Sequence, residues 1–212
     1  MILMNKTPKT KVAVFDFDGT IYKGDALIDF YLFTLNKYPA KILWGPYHAI
    51  VYLLYKLNLI PAATAKQQIL LAIRNIPIKT LQTYVEEFWK LHEKNLMKDA
   101  LTEIKKLKRQ GYKVVIATAS LDYYMLPIYK KTGADELICT KIGVIDGKIT
   151  NIIDGENCEN QAKADMVKQR FGDVAMAFSD ELRDLPLLEL ADEKFLVNLD
   201  KKVSGHENVY WQ

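Results

Sequence analysis

Three short runs of the chain are mostly apolar, and each stops on residues that can carry chemistry. Residues 12–15 lead into Asp16-Phe17-Asp18-Gly19-Thr20, residues 113–118 into Thr118-Ala119-Ser120, and residues 174–178 into Ser179-Asp180. An unbroken apolar run of this length predicts a strand buried on both faces. Between the first and second runs the period changes. Leu27, Phe30, Leu32 and Phe33 recur at helical spacing. Residues 40–57 form a second helical segment interrupted by Gly45-Pro46, residues 62–73 a third that opens after Pro61, and residues 81–96 a fourth. No strand pattern falls in this span.

The chain is therefore expected to hold a core domain, residues 1–22 and 98–212, with an all-helical insertion of about four helices over residues 23–97. Within the core, helices are expected over 100–110 and 121–131, stopped by Gly111 and Gly133, over 161–171, and briefly over 185–191. Short strands are expected at 136–139 and 195–198, with a hairpin at 143–151 turning on Asp146-Gly147. Alternating strands and helices predict an α/β class: a Rossmann-like parallel sheet with helices on both faces. In such a sheet ligands bind outside the carboxyl ends of the strands, so the three chemical endings should meet in one crevice.

Composition changes this picture little. With 212 residues, half of them hydrophobic, the chain can build one large domain or a domain with an insertion. The net charge is +3, and the densest basic cluster, Lys105-Lys106-Leu107-Lys108-Arg109, alternates with Leu101, Ile104 and Leu107 as the solvated face of a helix. Nucleic acid is not expected as a partner. Cys139 and Cys158 lack metal-ligand spacing and fit a reducing cytoplasm. The polar N-terminus has no apolar core long enough for a signal peptide.

Residues 42–60 are unusually apolar, and three readings stay open. They form a buried helix packed on its neighbours, an apolar substrate pocket or interfacial helix peripheral to the inner face of a membrane, or a span. Pro46, His48 and Lys56 disfavour the span. His48 and His92 read as packing residues, and Tyr210-Trp211 as a cover for part of the core. Nothing in the sequence sets the oligomeric state.

The chemistry concentrates at the first strand. Asp16 and Asp18, two residues apart in extended backbone, project to one side, where they repel each other unless a cation lies between them or one holds a proton. That suits a divalent metal and acid–base work. Thr118 and Ser179 read either as site residues or as strand-end caps. Asp184 reads as a site residue or as the N-cap of the helix from residue 185. Asp25 either caps the first inserted helix or points into the site.

Together Asp16-Phe17-Asp18-Gly19-Thr20, the strand ending at Thr118, Lys163, and Ser179-Asp180 with Asp184 resemble the four ordered motifs of the haloacid dehalogenase-like (HAD) superfamily. The helical insertion is similar to the C1 cap of its phosphoserine phosphatase-like branch. Cys158-x4-Lys163 and Ser-Asp-x3-Asp-Leu-Pro-Leu-Leu look closest to the IB subfamily. One departure is Ser179, where the fourth motif usually begins with glycine. The resemblance implies Mg²⁺-dependent hydrolysis of a small phosphate ester. Asp16 would be the nucleophile that forms an aspartyl-phosphate and Asp18 the general acid and base. Asp16, Asp180 and the Asp18 carbonyl would hold Mg²⁺. Gly19, Thr20, Thr118, Ala119 and Lys163 would meet the phosphate, with Asp184 and Ser179 behind. An aspartate at position 18 argues for a phosphatase or phosphotransferase over a dehalogenase. A lipid phosphate such as phosphatidylglycerophosphate is the alternative substrate, and a non-catalytic binding module the remaining alternative. The glutamate and arginine that hold the amino acid in phosphoserine phosphatases have no clear counterparts after Thr20.

Overall fold

The computed structural model describes residues 11–212; the reading of the polar N-terminus falls outside them. The first apolar run is strand β1 (Val12–Phe15), buried at every position. The second run is β2 (Lys113–Leu121), longer than expected because the strand continues, after a register irregularity, through Ser120 and Leu121. The third is β6 (Val174–Ser179). With β3 (Glu136–Thr140), β7 (Ala191–Val197) and β8 (Glu207–Val209) they form one six-stranded sheet in the order β3-β2-β1-β6-β7-β8, every pair parallel. The expected α/β parallel sheet is the observed one.

Alternation along β1 and β2 divides the core. Ala13, Phe15, Val114 and Ile116 face helices α5 (Lys98–Arg109) and α6 (Asp122–Thr132). Val12, Val14, Val115 and Ala117 face α7 (Asn160–Phe171) and α8 (Leu185–Leu188). On the first face Phe15, Phe178 and Phe195 stack across three strands with centroids 4.3 and 4.5 Å apart, and Trp211 closes over Phe178 at 5.5 Å. Each buried ring contributes roughly 1.5–3 kcal/mol of transfer free energy. Trp211 thus covers the core as expected, whereas Tyr210 is exposed.

The chain leaves β1 to build β2 and β3 on one side and returns to β6 on the other. The order reverses at β1, which opens a crevice above its carboxyl end. The segment that follows β1 holds the inserted helices α1 (Ala26–Lys37), α2 (Gly45–Lys56), α3 (Ala62–Ile69) and α4 (Ile78–His92), extended by 3₁₀ turns at Pro39–Trp44, Leu70–Ala72 and Glu93–Asn95. The hairpin is a separate pair, β4 (Ile142–Ile145) and β5 (Lys148–Ile153). It leaves the main sheet to clamp the inserted helices: Ile149 exchanges backbone hydrogen bonds with Asn75 and Ile76, and the Ile78 N–H donates to the Gly147 carbonyl.

Three expectations are corrected here. Gly45-Pro46 does not interrupt a helix; it starts α2, where proline costs no hydrogen bond. The short helix ends at Leu188, and Ala191 already belongs to β7. The apolar segment 42–60 is not buried. Only His48 and Val51 of α2 are enclosed, while Leu43 is 86% and Leu57 57% exposed, alongside exposed Ile42, Trp44, Tyr47, Ile50 and Leu53. The helix packs by one narrow side and turns the rest outward. Among the described residues, no helix is long and apolar enough to cross a membrane.

Candidate active site

β1 carries Asp16 out of the sheet with its N–H tied to the Phe178 carbonyl of β6 at 2.9 Å. The chain then turns on Gly19, whose φ of +74° is left-handed. A side chain here would collide with Asp180: a Cβ would sit 1.9 Å from its Oδ2. Glycine is required on both counts. Asp180, at the end of β6, is held by Thr20, whose hydroxyl accepts the Asp180 N–H at 3.0 Å and donates to Oδ1 at 3.3 Å. Thr20, expected on the phosphate, is thereby committed to positioning a carboxylate.

Lys163, in the first turn of α7, is 4% exposed, and its ammonium donates to Asp16 Oδ1 and to Asp184 Oδ2, both at 2.7 Å. Asp184 also accepts the Ser179 hydroxyl at 2.9 Å, and Ser179 accepts the Glu181 N–H at 3.2 Å. The serine in place of the usual glycine therefore adds a donor to this network. Asp184 does not cap α8 with its side chain; it aims Lys163. Burial pulls the lysine pKa down, but the Asp16 and Asp184 carboxylates outweigh it and hold the ammonium charged.

Asp18 has different partners. Its Oδ2 accepts the Ser120 hydroxyl at 2.6 Å and its Oδ1 the Ala26 N–H at 2.7 Å. Tyr124 supports Ser120 from behind at 2.9 Å. Burial, reinforced by the charge of Asp25, raises Asp18 to about 7. Burial and then Glu181 raise Asp180 to about 6. Burial keeps Asp16 well above the usual carboxylate range even beside Lys163, with Asp184, Asp180 and Asp18 adding to it. The crevice thus gathers more carboxyl groups than its two buried lysines, Lys163 and Lys66, can neutralise.

Part of this network lines a cavity of about 560 Å³ between the sheet and the inserted helices. Asp16, Asp18, Lys163, Asp184, Ala119 and Ser120 form its floor; Thr118 is fully buried, with its hydroxyl accepting the Ser120 N–H at 3.0 Å. Asp25 does both things expected of it, capping α1 through Ile28 N–H at 3.0 Å and lining the cavity. The roof is mainly apolar, with Leu27, Ile28 and Leu35 of α1, Ala49 and Tyr52 of α2, and Ile69 of α3. Sequence reasoning missed Lys66, a buried lysine of α3 in the cavity wall, and the rim residues Tyr55, Glu159 and Arg183. Only the spacing of Lys66, four residues before buried Leu70, hinted that it faces inward.

A model of the haloacid dehalogenase-like hydrolases matches residues 13–189, from β1 to the end of α8. Protein CicA of Caulobacter vibrioides is 29% identical over 189 residues, covering 86% of this chain and 84% of its own. A solved structure of a protein of unknown function from Bordetella pertussis superposes with a TM-score of 0.86 at 21% identity, over 95% of this chain and 98% of that one. A phospho-aspartyl intermediate analogue of phosphoserine phosphatase superposes at 0.66 and 19% identity, over 90% and 88%. These structures share the fold, and the family match spans strands β1, β2, β3 and β6 of the sheet and the residues gathered above them. The chain belongs to the haloacid dehalogenase-like hydrolase family.

Proposed function

We propose that this hydrolase is a Mg²⁺-dependent phosphatase that cleaves phosphate monoesters through an aspartyl-phosphate on Asp16. The observation that carries the reading is the division of labour between two carboxylates on one strand end. Asp16 is fixed by a buried lysine, whereas Asp18 is held by a hydroxyl and an N–H and raised to about 7. A carboxyl near neutrality can serve as acid in one step and base in the next.

In the first step an Asp16 oxygen attacks phosphorus, the ester P–O bond breaks, and the leaving alkoxide takes the Asp18 proton. In the second, water attacks the phosphorus and gives a proton to Asp18. The bond from phosphorus to Asp16 breaks, releasing phosphate and restoring both residues. Lys163 and the Thr118 hydroxyl stabilise the charge that gathers on the phosphoryl oxygens. Transfer to another alcohol instead of water uses the same first step.

The donor set fits Mg²⁺. The Asp16 and Asp180 carboxylates and the Asp18 carbonyl would hold it, and Gly19 leaves the space that Asp180 needs. Among the described residues no three His, Cys, Asp or Glu side chains form a complete cage, but Mg²⁺ keeps several waters and takes phosphate oxygens. When bound, it neutralises charge so that a carboxylate can approach a phosphate. The unbalanced negative charge of the floor supports this choice.

The inserted helices act as the cap that excludes water and selects the leaving group. Their apolar roof favours a second reading of the substrate, an ester with an apolar leaving group, lipid phosphates included. A non-catalytic role is opposed by the assembly of Asp16, Asp18 and Lys163 at the floor of one cavity, with Asp180 packed against Gly19 and Thr20 beside them. Asp16→Asn tests the mechanism: hydrolysis of an aryl phosphate with Mg²⁺ should vanish, and unchanged turnover would refute it. A panel of soluble and lipid phosphates in detergent tests the leaving group.

A further inference from the structure

Lys66 is a buried cation for which the proposed reaction has no use. It belongs to α3, is 6% exposed, and donates to the Ala119 carbonyl at 2.6 Å and to the Asn157 side-chain oxygen. Burying an ammonium is costly unless its partners are specific, so the contact calls for a role. Its position supplies one. The Ala119 carbonyl and the Ser120 N–H belong to one peptide group, and that N–H donates to Thr118 Oγ1 at 3.0 Å. The next side chain, Ser120, donates to Asp18 at 2.6 Å. One peptide group therefore orients Thr118, the threonine proposed to meet the phosphate, on one side and the acid–base carboxyl on the other. A cation on its carbonyl polarises the peptide and strengthens the N–H as a donor. With an acceptor site of Thr118 taken by this N–H, its own proton is left to donate to an oxyanion.

The surroundings tie this contact to the seating of the inserted helices. Asn157 also accepts the Thr140 hydroxyl at 3.1 Å and donates to Glu159 at 2.8 Å. The neighbouring Gln67 accepts the Ile153 N–H and, through its backbone carbonyl, the Asn151 amide, both at 3.1 Å. Helix α3 is thus fastened by polar bonds to residues 151–157, and Lys66 extends that seam to the end of β2.

We propose that Lys66 is a positioning residue that couples the docking of α3 to the geometry of the Thr118–Ser120 turn. The inference rests on the phosphatase reading for its catalytic consequence. Burial lowers the Lys66 ammonium to about 8, against the pull of Glu159, Cys158, Asp18 and Asp25, the titratable groups that face it. Deprotonation above that pH should loosen the turn.

Lys66→Met and Lys66→Arg test it, with Asp16→Asn as the control for the reaction itself. Two measurements are made: turnover of an aryl phosphate with Mg²⁺ across pH, and amide exchange at Ser120 by NMR without substrate. Lys66→Met should lower kcat about tenfold to a hundredfold, the loss of one hydrogen bond to a charged group, and leave KM within about threefold. It should remove the part of the alkaline fall of kcat near pH about 8 that lies beyond the fall set by Asp18 near about 7, and speed exchange at Ser120. Lys66→Arg should recover much of kcat and move that fall to higher pH. Unchanged kcat with unchanged Ser120 exchange overturns the proposal. So does a rise in KM at constant kcat, which would make Lys66 a substrate contact. A lower melting temperature with normal exchange at Ser120 also overturns it, as a purely structural role. If Asp16→Asn keeps full activity, the reaction reading fails, and Ser120 exchange alone decides the role of Lys66.

Discussion

Replacing Gly19 by alanine should separate the cost to the fold from the cost to the site. At φ +74° an L-residue is strained by about 1–2 kcal/mol. For a domain of this size that lowers Tm by roughly 2–8 °C. The larger effect is local. The new Cβ would lie 1.9 Å from Asp180 Oδ2 and 2.3 Å from its Cγ. Ordinary carbon contacts begin near about 3.5 Å, so the carboxylate must retreat by more than about 1 Å. Its side chain is short, and Thr20 holds both its Oδ1 and the Asp180 backbone N–H, so the carboxylate can retreat only by leaving the site. A displacement of about 1 Å in a reacting constellation costs on the order of a hundredfold. Gly111→Ala is the control: φ is +84° there, with nothing within 4 Å of a new Cβ. Both variants should lose similar stability in thermal unfolding. Only Gly19→Ala should lose about a hundredfold or more in kcat/KM on an aryl phosphate and require more Mg²⁺. Activity within about threefold of wild type at an unchanged Mg²⁺ requirement would refute the reasoning.

Two further outcomes follow from the charges of the floor. Lys163→Met leaves Asp16 and Asp184 buried without their shared cation and should cost about 3–5 kcal/mol in denaturant unfolding at neutral pH. The loss should shrink at about pH 5, because burial raises the Asp16 carboxyl so that it takes up a proton there; an equal loss at both pH values would contradict the assignment. Asp18 and Asp180, raised to about 7 and about 6, bind protons in the folded state that the unfolded chain has already released. Stability without metal should therefore fall as pH rises through that window. In EDTA, Tm should be higher at about pH 5.5 than at about pH 7.5, and Mg²⁺ should raise it more at the higher pH. The reverse order would contradict the crowding of carboxylates.

What was legible in the sequence follows from its physics. Strands buried on both faces are apolar throughout, so β1 and β6 stood out together with the residues on which they end. Gly19 and Asp180 could be paired only in space, because 160 residues separate Thr20 from the carboxylate it holds. The same distance hid the duty of Thr20. Strand β8 spans three residues at a sheet edge, too short for alternation to register. The exposure of α2 stayed one of three open readings, because an apolar helix reads alike whether its outer face meets protein or solvent. Lys66 drew no reading from the sequence, because its meaning depends on a carbonyl 53 residues away.

The central claim is a phosphoryl group carried on Asp16. Rapid quenching during turnover of a phosphate ester with Mg²⁺, borohydride reduction and peptide mass mapping test it directly. Asp16 should be converted to homoserine, dependent on substrate and absent in Asp16→Asn. Turnover with no modification at Asp16, or with the label on Asp18 or Asp180, would contradict it.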